Sequence, residues 1–213
     1  MAINLQKLTS TLIRMRDLFV ADPTYAVRSK KFISEFQNYC ADELRSRNFE
    51  ENGFKIKIEH SFDVGRGPVE ADVGIIDTNG EPRLIVDVRS QMTSIGKNFN
   101  NYIRMKAGEV ESIHAKYLKC VVGLIYIHPA GDLHTKKPVG LVGSFNYVKA
   151  SAQLASLDGR TSLTDFASTY ENVAYCVIDF NANPPKLSAT VPAQQELQLE
   201  NFFDKVSETL LAR

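Results

Sequence analysis

Two short segments near the middle of the chain limit what it can fold into. Residues 69–76 read Val-Glu-Ala-Asp-Val-Gly-Ile-Ile and residues 84–91 read Leu-Ile-Val-Asp-Val-Arg-Ser-Gln. Between them stands Asp-Thr-Asn-Gly-Glu-Pro, whose Asn79-Gly80 pair is a strong hairpin signal. Side chains alternate along a strand, so Glu70 and Asp72 share a face. Asp87, Arg89 and Gln91 likewise share one, opposite Leu84, Val86 and Val88. Paired as a hairpin, the segments bring up to three carboxylates together beside a guanidinium. Close carboxylates repel and lose hydration on burial, so the cluster is costly unless a cation or the arginine neutralises it. A divalent metal is the simplest occupant.

The rest of the chain supplies a frame for that hairpin. Residues 3–20 have Leu5, Leu8, Leu12, Met15 and Phe19 near helical spacing. A second helix is expected from Thr24 or Ser29 to Arg47, with Phe32, Phe36, Cys40 and Leu44 on one face and Asn52-Gly53 as its stop. Residues 54–62 alternate as a strand, and the Gly- and Pro-bearing stretch 63–68 is a loop. After the hairpin, residues 98–118 form a long helix with Tyr102, Met105, Val110, Ile113 and Tyr117 inward. Residues 120–127 and 173–180 read as buried strands. Between them, residues 129–172 are weakly patterned, with helical pieces at about 145–157 and 163–170. A last helix starts at Gln195 or Leu197 and runs to Leu211. This order predicts an α/β fold, a mixed sheet flanked by helices. A length of 213 residues suits a single domain spanning 1–213.

Composition removes several classes of function. No run approaches the roughly 18 apolar residues of a membrane helix. The first helix interleaves Lys7, Arg14, Arg16 and Asp17, unlike a signal peptide. Cys40, Cys120 and Cys176 lack metal-ligand spacing and leave an odd thiol, which implies free buried thiols in a reducing, cytoplasmic setting. His128 and His134 lack zinc spacing with any cysteine, and His60 on a strand and His114 on a helix read as structural. The phosphate-loop, Gly-x-Ser-x-Gly and Gly-x-Gly-x-x-Gly patterns are absent, which argues against NTPase, serine-hydrolase and dinucleotide chemistry. Net charge is zero, so a nucleic-acid role depends on how charge is distributed. The basic runs Arg28-Ser29-Lys30-Lys31, Lys55-Ile56-Lys57 and Lys136-Lys137 read first as solvated faces.

A helix, three strands with an acid on the second and acid-x-base on the third, then helix and strand, resembles the PD-(D/E)xK nuclease superfamily. Asp72 matches the first acid, and Asp87-Val88-Arg89 matches (D/E)xK. The run from Ser90-Gln91 to Asn98-Phe99-Asn100-Asn101 is similar to the stretch after the catalytic strand in type II restriction endonucleases of the XhoI-like group. Gly108-Glu109-Val110-Glu111 falls where that group has acids on the next helix. The likeness covers about residues 43–127.

It implies a restriction-endonuclease-like αβββαβ core and Mg²⁺-dependent hydrolysis of duplex DNA at a short site, by a homodimer. Mg²⁺ takes oxygen ligands and retains waters, so Asp72, Asp87 and the carbonyl of Val88 are the expected metal ligands. Glu70 is a further catalytic acid, and Glu43 a possible extra acid from the preceding helix. Gln91, Lys97, Asn98, Asn100 and Asn101 are candidate DNA contacts, the asparagines having helix-capping as a competing role. Arg104 and Lys106 are expected on the helix surface. Residues 129–172, with Lys136, Lys137, Asn146, Tyr147, Lys149 and Arg160, are the expected recognition insertion. Arg89 departs from the family lysine. Arginine cannot act as a base near neutral pH, but it can orient water and offset phosphate charge. The alternatives are a structure-specific repair nuclease and a DNA-binding or assembly protein with a decayed site.

Overall fold

The computed structural model describes residues 1–65, 67–93, 95–130 and 145–213. The side chains of Val27 and Lys97, and residues 131–144 with Lys136, Lys137 and His134, lie outside the described residues.

Six strands form one open mixed sheet in the order β1-β2-β3-β4-β5-β6. β1 (Lys55–Asp63), β2 (Pro68–Ile76) and β3 (Pro82–Ser90) form an antiparallel meander. β4 (Val121–Pro129) and β5 (Asn172–Asp179) run parallel to β3, and the two-residue β6 (Lys186–Leu187) closes that edge antiparallel. Every residue of β4 is buried, as its apolar run requires of a strand covered on both faces. β1, at the free edge, alternates exposed and buried positions, with Lys55 and Lys57 outward.

Helices cover both faces. α1 (Leu5–Ala21), α3 (Lys31–Arg45) and α6 (Leu199–Ala212) pack with Val73, Ile75, Val86 and Ile125. α4 (Ile95–Lys116) and α5 (Tyr147–Ala155) pack with Ile85, Leu124, Tyr126 and Tyr175. α6 crosses β4 so closely that a Cβ on Gly123 would meet the Phe202 ring at 2.6 Å. Among the described residues no helix is long and apolar enough to cross a membrane. All three cysteines are free and buried.

Three expectations need correction. The second helix is two: α2 (Pro23–Arg28), capped by the Asp22 carboxylate on the Tyr25 N–H, and α3, with Ser29 extended between them. Residues 163–170 are not helical, because Asp165 accepts from the N–H groups of Thr161 and Ser162 and closes a local turn. Arg160 does not face a partner: it is buried, donating to Glu171 at 2.6 Å.

Glu171 is the centre of a buried polar knot. It accepts from Arg160, Arg213 and the Val122 N–H, and meets His114. Burial alone would raise its pKa, but His114, the Val122 N–H and Arg213 outweigh it and hold the carboxyl below its ordinary value. A depressed carboxyl stabilises the fold above its unfolded-state pKa and loses that contribution as pH falls through the folded-state value. Glu171→Ala should therefore cost about 3–5 kcal/mol in urea denaturation at pH 7. The gap to the parent protein should narrow as the pH falls below about 4.

Candidate functional site

The β2–β3 ladder pairs Ile75 with Leu84, Gly74 with Ile85 and Val73 with Val86. One step further the same register sets Asp72 against Asp87, and there the ladder stops. The Val88 N–H donates to Asp72 Oδ2 at 2.6 Å instead of to a β2 carbonyl. Gln37, on α3, donates its amide to Asp72 Oδ1 at 2.5 Å. The two carboxyl groups are thus presented to each other where the strands part.

Burial, and then the nearby Asp87 charge, push the Asp72 carboxyl up to about 7, partly countered by the Val88 and Gln37 donors. Asp87 is ion-paired to Lys106, which leans in from α4 and also holds Glu109 at 2.8 Å. The Lys106 side chain is only 6% exposed. Burial would lower its pKa, but Asp87 and Glu109 outweigh burial and keep it an ammonium. This corrects the surface position expected of Lys106. The inward face of α4 is Phe99, Lys106, Val110 and Ile113, while Met105 is exposed. Placing Met105 inward rotates the helix by one residue and turns Lys106 out. The 99/106/110/113 spacing was the signal that reveals it.

Other expected residues divide. Arg89 stacks its guanidinium on the Tyr102 ring at 4.7 Å and lines a cleft with Asp72, Val88, Ser90, Gln37 and Glu70. Glu70 stays at the rim, paired with Lys30 at 2.8 Å, so two carboxylates and not three meet at the strand gap. Glu43 is held elsewhere on α3, accepting from the Asn4 N–H and Arg47; Gln37 occupies the α3 position that faces Asp72. Gln91 is buried: its side-chain oxygen accepts from Tyr126 and meets His128, and its amide reaches the Ile95 carbonyl. It pins the turn into α4 and does not face a ligand. Burial lowers the pKa of His128 to about 3, so it is neutral.

Asn98, Asn100 and Asn101 lie exposed in the first turns of α4, inside the helix and not at its cap. Asn100 accepts from Gln153 of α5, across a polar groove that includes Asn146 and Lys149. Tyr147 is tied to the Pro129 carbonyl. The Lys97 side chain is outside the described residues.

Among the described residues no group of three or more His, Cys, Asp and Glu side chains is placed to hold a metal ion. The donors still fit Mg²⁺, which is commonly held by one or two carboxylates with waters completing the shell. Asp72 and Asp87 are the pair. Gln37 Oε1, buried and without a hydrogen-bond partner among the described residues, is a neutral oxygen beside them. Comparison with known proteins identifies no relative: no family model, curated protein or solved structure matches the chain.

A raised carboxyl pKa in the fold means that stability declines as pH climbs from the unfolded value near 4 through about 7. In EDTA, melting temperature should fall across that interval, and Asp72→Asn should flatten the fall. Mg²⁺ should raise it more at pH 8 than at pH 5.5, by about 2–4 °C for each kcal/mol of binding. Asp87→Ala should abolish the Mg²⁺ response.

Proposed function

We propose that this chain is a Mg²⁺-dependent endonuclease of restriction-enzyme type, with the PD-(D/E)xK core, that hydrolyses duplex DNA at a short specific site. The observation that carries this reading is a pair of half-buried aspartates meeting where two strands part, with a buried lysine on one of them. The order α3-β1-β2-β3-α4-β4 agrees with the αβββαβ core of that superfamily.

Asp72, Asp87 and the Val88 carbonyl are the oxygens that would hold Mg²⁺. The ion, when bound, lowers the pKa of water and offsets charge on the attacked phosphate. Gln37 and the Val88 N–H orient the Asp72 carboxylate. Lys106 fills the place expected of the motif lysine. Its ammonium sits against Asp87, where it can orient the attacking water and stabilise the charge that develops on phosphorus. Arg89, anchored on Tyr102, offers its remaining donors to a phosphate oxygen. The lysine supplied from α4 favours this reading over a DNA-binding protein with a decayed site. A homodimer suits a two-fold symmetric DNA site.

With purified protein, Mg²⁺ and a long natural DNA, discrete fragments are expected; cleavage confined to branched or damaged DNA would favour a repair nuclease. Binding without cleavage under Mg²⁺ or Mn²⁺ would favour the decayed site. Asp72→Ala and Asp87→Ala should abolish cutting while the fold survives. Lys106→Ala should lower kcat by about 10²–10³, and Arg89→Lys should keep or raise activity. Full cutting by both aspartate variants would overturn the assignment.

A further inference from the structure

Of the basic run Arg28-Ser29-Lys30-Lys31 only Lys30, at the rim, has entered the site as described so far, yet the fold places Arg28 and Ser29 there too. Its backbone breaks between α2 and α3, with Ser29 extended, and this break forms the wall of the cleft facing Asp72, Val88 and Arg89. Arg28, Ser29 and Lys30 all line the cleft. Among the described residues Arg28 has no carboxylate partner, and Ser29 Oγ, shielded from solvent, has no hydrogen-bond partner. Lys30 is held by Glu70 at 2.8 Å and Glu59 at 3.6 Å.

The charges are ordered by depth. Lys106 lies buried, the aspartate pair and Arg89 are half-buried, and Arg28 and Lys30 stand exposed at the mouth. A polyanion whose scissile phosphate reaches the aspartates has its neighbouring phosphates at that mouth. Exposed ion pairs such as Lys30–Glu70 contribute little in water and are readily exchanged.

Resting on the nuclease reading of the same site, we propose that the α2–α3 break is a clamp for the DNA backbone. Arg28 and Lys30 grip phosphates beside the one being cut, and Glu70 restrains Lys30 until DNA displaces it. Glu70 is then neither metal ligand nor base but a competitor for the clamp. Removing it acts opposite in sign to removing Lys30.

Each phosphate contact contributes about 0.9 to the slope of log affinity against log salt. Affinity for a duplex containing the cut site is measured in EDTA, where no cutting occurs, from about 50 to 200 mM salt. The Arg28→Ala/Lys30→Ala protein should show a slope shallower by about 1.8, so its deficit relative to the parent shrinks about tenfold across that range. Lys55→Ala/Lys186→Ala, altering exposed lysines of the two sheet edges, removes the same formal charge and should leave the slope unchanged. Glu70→Gln should tighten binding several-fold. Arg28→Gln/Lys30→Gln serves if alanine disturbs the break. An unchanged slope in the clamp variants, with normal parental binding, overturns the clamp and leaves the nuclease reading intact. Weaker binding by Glu70→Gln also overturns it. Absence of parental DNA binding at any salt overturns the nuclease reading, and the clamp with it.

Discussion

The interaction on which this structure turns is the approach of Asp72 to Asp87. Two carboxylates in a half-dry gap between strands are unfavourable by themselves, since burial and mutual repulsion both penalise the ionised pair. The surrounding fold is arranged against that penalty: α3 brings the Gln37 amide, β3 turns the Val88 N–H from sheet pairing to Asp72, and α4 brings Lys106 to Asp87. Three elements from both faces of the sheet therefore converge on one pair of side chains. The elevated pKa of Asp72 shows that these donors offset the strain only in part. On the proposed nuclease reading, a divalent cation would offset what remains.

On the proposed nuclease reading, the same geometry answers the departure of Arg89 from the acid-x-lysine pattern. Arginine at position 89 stays protonated and stacks on Tyr102, so it cannot serve as a proton acceptor. An ammonium reaches Asp87 all the same, from a helix that crosses behind the strand. The proposed chemistry requires a cation near the reacting phosphate, and Lys106 would supply it from a different element. Glu109 completes the bridge by sharing Lys106.

Much of the remaining polarity is structural. The Gln91, Tyr126, His128 and Tyr175 chain ties β3 to β4 and β5 beneath the start of α4, and the Glu171 knot binds the other ends of β4 and β5. Buried polar groups of this kind persist when each finds a partner. Their residue types match those of a catalytic site. Contacts alone separate them from it.

Hydrophobic periodicity and turn chemistry made the main strands, α1, α4 and α6 legible, together with the pairing that faces Asp72 toward Asp87. These follow from local rules: alternation at two residues, recurrence near 3.6, and Asn-Gly at the hairpin. Four matters belonged to tertiary structure. Gln37 replaced Glu43 because the α3 crossing decides which turn of the helix meets β2. Glu70 was lost to Lys30 at the cleft rim. Gln91 turned inward to satisfy Tyr126 and His128. Lys106 turned inward because two carboxylates awaited it, a pairing between residues 19 apart that no local window contains. The sequence by itself determined where the acids stand along their strands. Which cation and which amide neutralise them was decided only by the packing of helices on both faces, since charge compensation in a low dielectric depends on distance in space.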